Sequence, residues 1–219
     1  MNSLYIDYLT DGKYATPDGY DISNKSKNAK VINKIIPFGK SRTGEIQDVK
    51  YIVIHETSIG LDKASVDRDW LHYYESLLNG NDSVGYHYLC DDDNVYEFIP
   101  DYEKAYHTGT FINNFSIGVE RLVNLNVSFP DALHNQAKIV ATLMYKWGVP
   151  LRRVITHLNA RVACDKEIKY CPSRMLDYQY GGEKKFYNEV VNCLRKNDFF
   201  YEILNVNLTI PKKKIKDKQ

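Results

Sequence analysis

The strongest pattern along the chain is Val49-Lys50-Tyr51-Ile52-Val53-Ile54-His55, a β-branched and nearly continuous apolar run. Such a run predicts a buried strand. Glu56, Thr57 and Ser58 follow it, so His55 falls where the strand ends. Helical spacing comes next. Val66, Trp70, Tyr73, Tyr74, Leu77 and Leu78 share one face, with Ser65 as N-cap and Gly80 as the C-terminal stop. Residues 85–90 and 95–99 predict two strands, and Asp91-Asp92-Asp93-Asn94 turns them into a hairpin. Residues 116–120 form a further strand. Pro130 and Asp131 open a second helix whose apolar face is Leu133, Ala137, Val140, Leu143, Met144 and Trp147; Gly148 and Pro150 end it. Residues 154–157 read as a short strand or extended segment. Residues 183–197 form a third helix, with Phe186, Val190, Cys193 and Leu194 on one face.

The order strand, helix, hairpin, strand, helix, strand, helix predicts a single α/β domain: a central mixed β-sheet flanked by helices. It occupies residues 49–200. Residues 1–48 are polar and aperiodic and read as an N-terminal arm or lead-in packed on the domain. Residues 201–219 end in Lys-Lys-Lys-Ile-Lys-Asp-Lys-Gln and read as a basic linker or tail.

Composition narrows the function classes. A chain of 219 residues can bury a core without disulfide or metal staples. Its 29 basic and 28 acidic side chains nearly cancel, which argues against a protein whose main work is wrapping nucleic acid. No segment approaches the roughly 18–20 apolar residues that span a membrane. The first residues, Met-Asn-Ser-Leu-Tyr-Ile-Asp-Tyr, lack the basic start and apolar run of a secretory signal. Synthesis in the cytoplasm is therefore expected, with Cys90, Cys164, Cys171 and Cys193 reduced.

Six histidines are present. His72 and His134 fall inside helices and read as structural. His55 and His157 each end an apolar β-type segment, where ligands gather in open α/β sheets. The third piece is Lys169-Tyr170-Cys171-Pro172. Two histidines and a cysteine from separate segments suit a zinc ion with a fourth position open, the arrangement of a catalytic site; no Cys-x-x-Cys pair suggests a structural one. Zinc lowers the pKa of a bound water to about 7. Lys169 is two residues from Cys171 and within reach of the same cleft. Glu120 ends a strand and suits a general base. Tyr86, following Gly85, can donate its hydroxyl to a developing oxyanion. Each also has a plain reading: a solvated charge, a surface carboxylate, a half-buried strand aromatic.

Together these pieces resemble the zinc-dependent N-acetylmuramoyl-L-alanine amidases of the type-2 amidase family, which includes phage endolysins, autolysins and peptidoglycan-recognition proteins. The matching residues are 51–55, Gly85-Tyr86-His87-Tyr88, His107-Thr108-Gly109, 116–120, Thr156-His157 and Lys169-Tyr170-Cys171-Pro172, in the family's order. The resemblance implies one Zn2+ per chain held by His55, His157 and Cys171. It implies Glu120, Tyr86 and Lys169 as catalytic residues, with His107 and Tyr86 lining the substrate groove. It implies a substrate, bacterial peptidoglycan, cut between N-acetylmuramic acid and the L-alanine of the stem peptide. It also implies action on the wall after release from the cell, by a holin-type route if the chain is phage-derived, and a C-terminal wall-binding domain outside this chain. Retention of Cys171 resembles the active branch; the alternative is a non-catalytic peptidoglycan-binding module. One departure stands out: His157 and Cys171 are fourteen positions apart, 157 to 171, more than the family commonly has. Cys164, seven positions after His157, is the other candidate for the third ligand.

Overall fold

The computed structural model describes residues 30–39, 41–57, 69–80, 84–124, 127–176 and 182–196. Six strands form one mixed sheet: β1 (Lys30–Asn33), β2 (Tyr51–Glu56), β3 (Tyr88–Cys90), β4 (Asn94–Glu97), β5 (Ser116–Arg121) and β6 (Val154–Thr156). Their order across the sheet is β1-β4-β3-β5-β2-β6. Only β3 and β4, the expected hairpin, pair antiparallel; every other neighbouring pair is parallel. Asp91 closes the hairpin turn, its carboxylate accepting from the amides of Asp93 and Asn94. The single α/β domain with a mixed sheet agrees with the sequence reading.

The helices are α1 (Trp70–Asn79), α2 (Phe129–Trp147), α3 (His157–Val162), α4 (Ser173–Leu176) and α5 (Gly182–Lys196). Along β2 and β5 the side chains alternate between the two faces of the sheet. Ile52, Ile54, Ile117 and Val119 join the core cluster built with α2 and α5. Val53 faces the other way, into a small cluster with Ile112 and Ala160. On that second face, α1 and the β3–β4 hairpin share a separate core of Leu77, Tyr86, Leu89, Tyr96 and Phe98. His55 and Glu120 belong to this second face, paired in register across β2 and β5.

Helix ends follow local chemistry. Asp69 caps α1, accepting from the amides of Leu71 and His72 at 3.1 and 3.2 Å. The expected cap, Ser65, and the expected helical Val66 lie outside the described residues. Gly80 ends α1 in an extended rather than a left-handed conformation. Gly148 ends α2 at φ 62°, its amide turned back to the Met144 and Tyr145 carbonyls. Among the described residues no helix is long and apolar enough to cross a membrane.

Three elements were not expected. Strand β1 comes from within residues 1–48 and pairs with β4 at the sheet edge. His157 does not end a strand; it starts α3, just after β6. Ser173–Leu176 forms α4 immediately beyond Cys171-Pro172. Residues 1–29 of the expected arm and all of 201–219 lie outside the described residues.

Candidate functional site

The carboxyl ends of the parallel strands β2, β5 and β6 bring the chemistry together. His55 is the penultimate residue of β2, opposite Glu120 on β5, while Ile54 pairs with Thr156, the residue before His157. Thr156 caps α3 through its hydroxyl, which accepts from the Asn159 amide at 3.1 Å, so His157 turns out of the sheet into the first helical turn. The fourteen-position span to Cys171 folds as α3, a turn with Asp165 at φ 52°, and a return segment. The Leu158 amide donates to the Cys171 carbonyl at 3.0 Å and closes that loop.

One ligand atom each from His55, His157 and Cys171 lies within 4.8 Å of the others. Cys171 Sγ is 3.8 Å from His55 Nδ1. Cys164 is not part of this group: it is half-buried and packs against the Val53 cluster. The hydrogen bonds assign the tautomers. His55 Nε2 lies 2.9 Å from His107 Nδ1, and His107 Nε2 lies 3.1 Å from the Ser116 hydroxyl, which itself donates to the Ile112 carbonyl. With His55 and His107 both protonated on Nε2, every link in this chain has one donor and one acceptor. His157 Nε2 donates to the Thr108 carbonyl at 3.1 Å. Both histidines therefore carry an unprotonated Nδ1, that of His55 3.8 Å from Cys171 Sγ. The His157 Nδ1 atom is buried with no hydrogen-bond partner in the protein. A buried acceptor on a ring grouped with a second imidazole and a thiol, with no donor to satisfy it, fits a metal ion.

Electrostatics point the same way. Burial, then the neighbouring His157, His107 and Lys169, holds His55 well below its ordinary pKa. Burial and Lys169 lower His157 to about 4, so both rings are neutral at physiological pH. Burial pushes the Cys171 thiol up to about 12. A cation at the site is what would hold it as thiolate.

Glu120 stands beside this trio, Oε1 3.9 Å from His55 Nδ1, with its side chain 15% exposed. Its second oxygen has no partner. Burial and the charge on Glu56 raise its pKa to about 8, against the pull of Lys169. Tyr86 is 7% exposed and its hydroxyl is also unpartnered; burial and the Glu120 charge raise it well above the ordinary phenol value. Lys169 is exposed, yet its charge acts on His55, His157, Glu120 and Cys171 alike. His107, expected to line the substrate groove, is half-buried and sits behind His55. His134, read as structural, pairs with Glu189 across the α2–α5 seam; His72 is exposed on α1.

Sequence reasoning missed four residues that build the site. Gln136, fully buried in α2, donates to the carbonyls of His55 and Val119 at 3.1 and 2.9 Å. The Thr108 carbonyl accepts from His157, and the Ser116 hydroxyl accepts from His107 behind His55. Glu56, next to His55, accepts from the amides of Arg174 and Met175 and from Arg121. A glutamine on an otherwise apolar helix face is the one signal of these that a sequence could have offered.

The sequence profile of Amidase_2, described as N-acetylmuramoyl-L-alanine amidase, matches residues 45–174. N-acetylmuramoyl-L-alanine amidase XlyA of Bacillus subtilis (strain 168) is 28% identical over 151 residues, covering 67% of this chain and 48% of XlyA. N-acetylmuramoyl-L-alanine amidase CwlH of the same organism is 28% identical over 142 residues, covering 63% of this chain and 53% of CwlH. The chain thus spans about half the length of these curated relatives. The solved catalytic domain of XlyA superposes with a TM-score of 0.63 at 26% identity, covering 74% of this chain and 99% of that domain. A mutant endolysin from Bacillus subtilis does so with 0.62 at 27% identity, over 74% of this chain and 99% of its own. With the profile covering more than half of the chain, and with His55, Glu120, His157 and Cys171 all inside the matched segment, the protein belongs to the N-acetylmuramoyl-L-alanine amidase family.

Proposed function

We propose that this chain is a zinc-dependent amidase domain that hydrolyses the amide between N-acetylmuramic acid and the L-alanine of the peptidoglycan stem peptide. The observation that carries the reading is the convergence of His55, His157 and Cys171 within 4.8 Å, beside Glu120, in a chain of this family. His55 and His157 through Nδ1, and Cys171 through Sγ, are the residues to hold one zinc ion. Bound there, zinc would supply a Lewis acid for the scissile carbonyl and an activated water.

The protein's own groups complete the hydrolysis. Glu120, with an unpartnered oxygen, takes a proton from the attacking water in its ionised form, which a bound cation beside it would favour. Its raised pKa suits the return of that proton to the leaving amine. Water and amide become a lactyl carboxylate and a free L-alanine amine. The Tyr86 hydroxyl donates to the carbonyl oxygen as negative charge develops, and the Lys169 ammonium adds to the same stabilisation. Tyr86 is also on the side of the groove against which the stem peptide lies, while His107, expected there too, supports His55 from behind. The setting that goes with this reading is synthesis inside the cell and action on the wall after release.

A binding module without catalysis drew its support from the long span between His157 and Cys171. That span folds as α3 and a return segment that carries Cys171 back to the two histidines, which removes the support. The test is zinc content measured together with amine release from purified walls, for the wild type and Cys171→Ser. One zinc per chain and release of N-terminal alanine, both lost in the variant, are expected. A wild type that cleaves walls without zinc, or binds zinc and walls without cleaving, would overturn the reading.

A further inference from the structure

We propose that Glu56 is a positioning residue for the metal: it latches the segment carrying Cys171 to the strand carrying His55, so that the thiol is held in place before any metal arrives. This inference rests on the zinc reading above and adds to it a residue with no place in the ligand set or the acid–base chemistry.

Glu56 directly follows His55 and ends β2. Its Oε2 accepts from the Arg174 amide at 2.7 Å and its Oε1 from the Met175 amide at 3.1 Å. Both amides lie in the first turn of α4, where no carbonyl of the helix itself can accept them. Its backbone carbonyl is 3.9 Å from Cys171 Sγ. One residue thus touches the third ligand with its main chain and grips the residues three and four positions further on with its side chain. Arg121, its register partner on β5, pairs with it from the far side. That guanidinium is completely buried and lies over the Phe129 ring, 4.4 Å from its centroid. Removing a charged pair from water is costly, and the pair is kept here with the carboxylate fully engaged. The consequence is geometric. Cys171 is tied on one side by its carbonyl to the Leu158 amide and on the other by Glu56 to residues 174–175. Without the Glu56 carboxylate the second of these two ties is lost.

The test reads the folded protein by three measurements. In wild-type, metal-free protein, native-state hydrogen exchange should show the Arg174 and Met175 amides protected; exchange at the rate of free amides would overturn the latch, and this arm needs no variant. In Glu56→Gln, zinc affinity measured against a chromophoric chelator should fall about tenfold or more, the usual effect of losing an outer partner of a metal site. In the same variant without metal, Cys171 should be alkylated faster, followed by site-resolved mass spectrometry to separate it from the other three cysteines. If Glu56→Gln does not fold, the double variant Glu56→Ala/Arg121→Met removes the acceptor without stranding a buried charge and serves in its place. A folded variant with a lower melting temperature but wild-type zinc affinity and Cys171 reactivity would show a merely structural role and overturn the assignment. Should the wild type bind no zinc, the metal reading fails by itself, while the exchange and alkylation arms still decide whether Glu56 holds Cys171.

Discussion

The Tyr86 hydroxyl is a polar group that the fold buries and leaves unpaired. An unsatisfied buried hydroxyl costs roughly 1–3 kcal/mol, so its retention on stability grounds alone is unexplained. The proposed amidase chemistry accounts for it: a donor with no partner in the resting protein is free to bond an oxyanion when one forms. Tyr86→Phe should therefore separate the two properties. Wall hydrolysis should fall about 100- to 1000-fold, the usual loss for one oxyanion donor, while the melting temperature stays level or rises. A drop in stability together with unchanged kcat would reassign the hydroxyl to the core. The same logic applies to His157 Nδ1 and the second oxygen of Glu120, which are also buried without partners. Three orphaned polar atoms, with the Glu120 charge acting on both Tyr86 and Cys171, mark this site more sharply than any one residue does.

At the level of strands and helices, His55, Glu120 and His157 were legible because each stands at a break between an apolar run and a polar segment, and Cys171 because it precedes a proline at the end of a charge-rich loop. Glu56 and Arg121 stand at the same breaks, yet nothing in the sequence separates them from solvated charges; only the register of β2 on β5 shows them to be a buried pair. Helices α3 and α4 have six and four residues, too short to show a helical period. Strand β1 offers only Val31 and Ile32 as adjacent apolar residues inside a polar stretch, and tertiary pairing with β4 decides its conformation. Gly118 reads as a weak point within a strand, and the structure explains it. A Cβ there would lie 2.7–3.0 Å from three atoms of the His107 ring. The glycine is thus the seat of the imidazole that holds His55 in its metal-facing tautomer. Gly118→Ala is expected to displace His107 and lower zinc affinity about tenfold, as for other losses behind a metal ligand. Unaltered affinity in a titration of the folded variant would show that His107 does not govern His55.

For the molecule as a whole, metal and protons should act on stability in opposite ways. A metal that binds only the folded chain stabilises it by mass action, so chelation should lower the melting temperature of the wild type and leave Cys171→Ser unmoved. Acid should destabilise the metal-free fold through His87. That imidazole is completely buried; its Nδ1 accepts from the Gly118 amide at 2.9 Å and its Nε2 donates to the Glu103 carbonyl at 2.7 Å. Gln47 and the His107 ring also face it, and the charges of Asp101 and Glu103 act on it from the 101–103 turn. Desolvation outweighs those carboxylates and lowers its pKa to about 4. In the unfolded chain the same group titrates near 6.5. Its contribution is therefore complete above about pH 6.5 and is lost as pH falls toward 4, to a total of about 3 kcal/mol. Burial raises Asp91, Glu97 and Glu183, which works in the opposite sense, since the fold takes up their protons more readily than the unfolded chain. Comparing wild type with His87→Gln cancels those terms. Urea unfolding in chelator between pH 7.5 and 4.5 should show a flatter pH dependence for the variant, whatever its absolute stability. Parallel curves would mean that His87 keeps its proton equilibrium on folding, and that the acid sensitivity of the sheet arises from other groups.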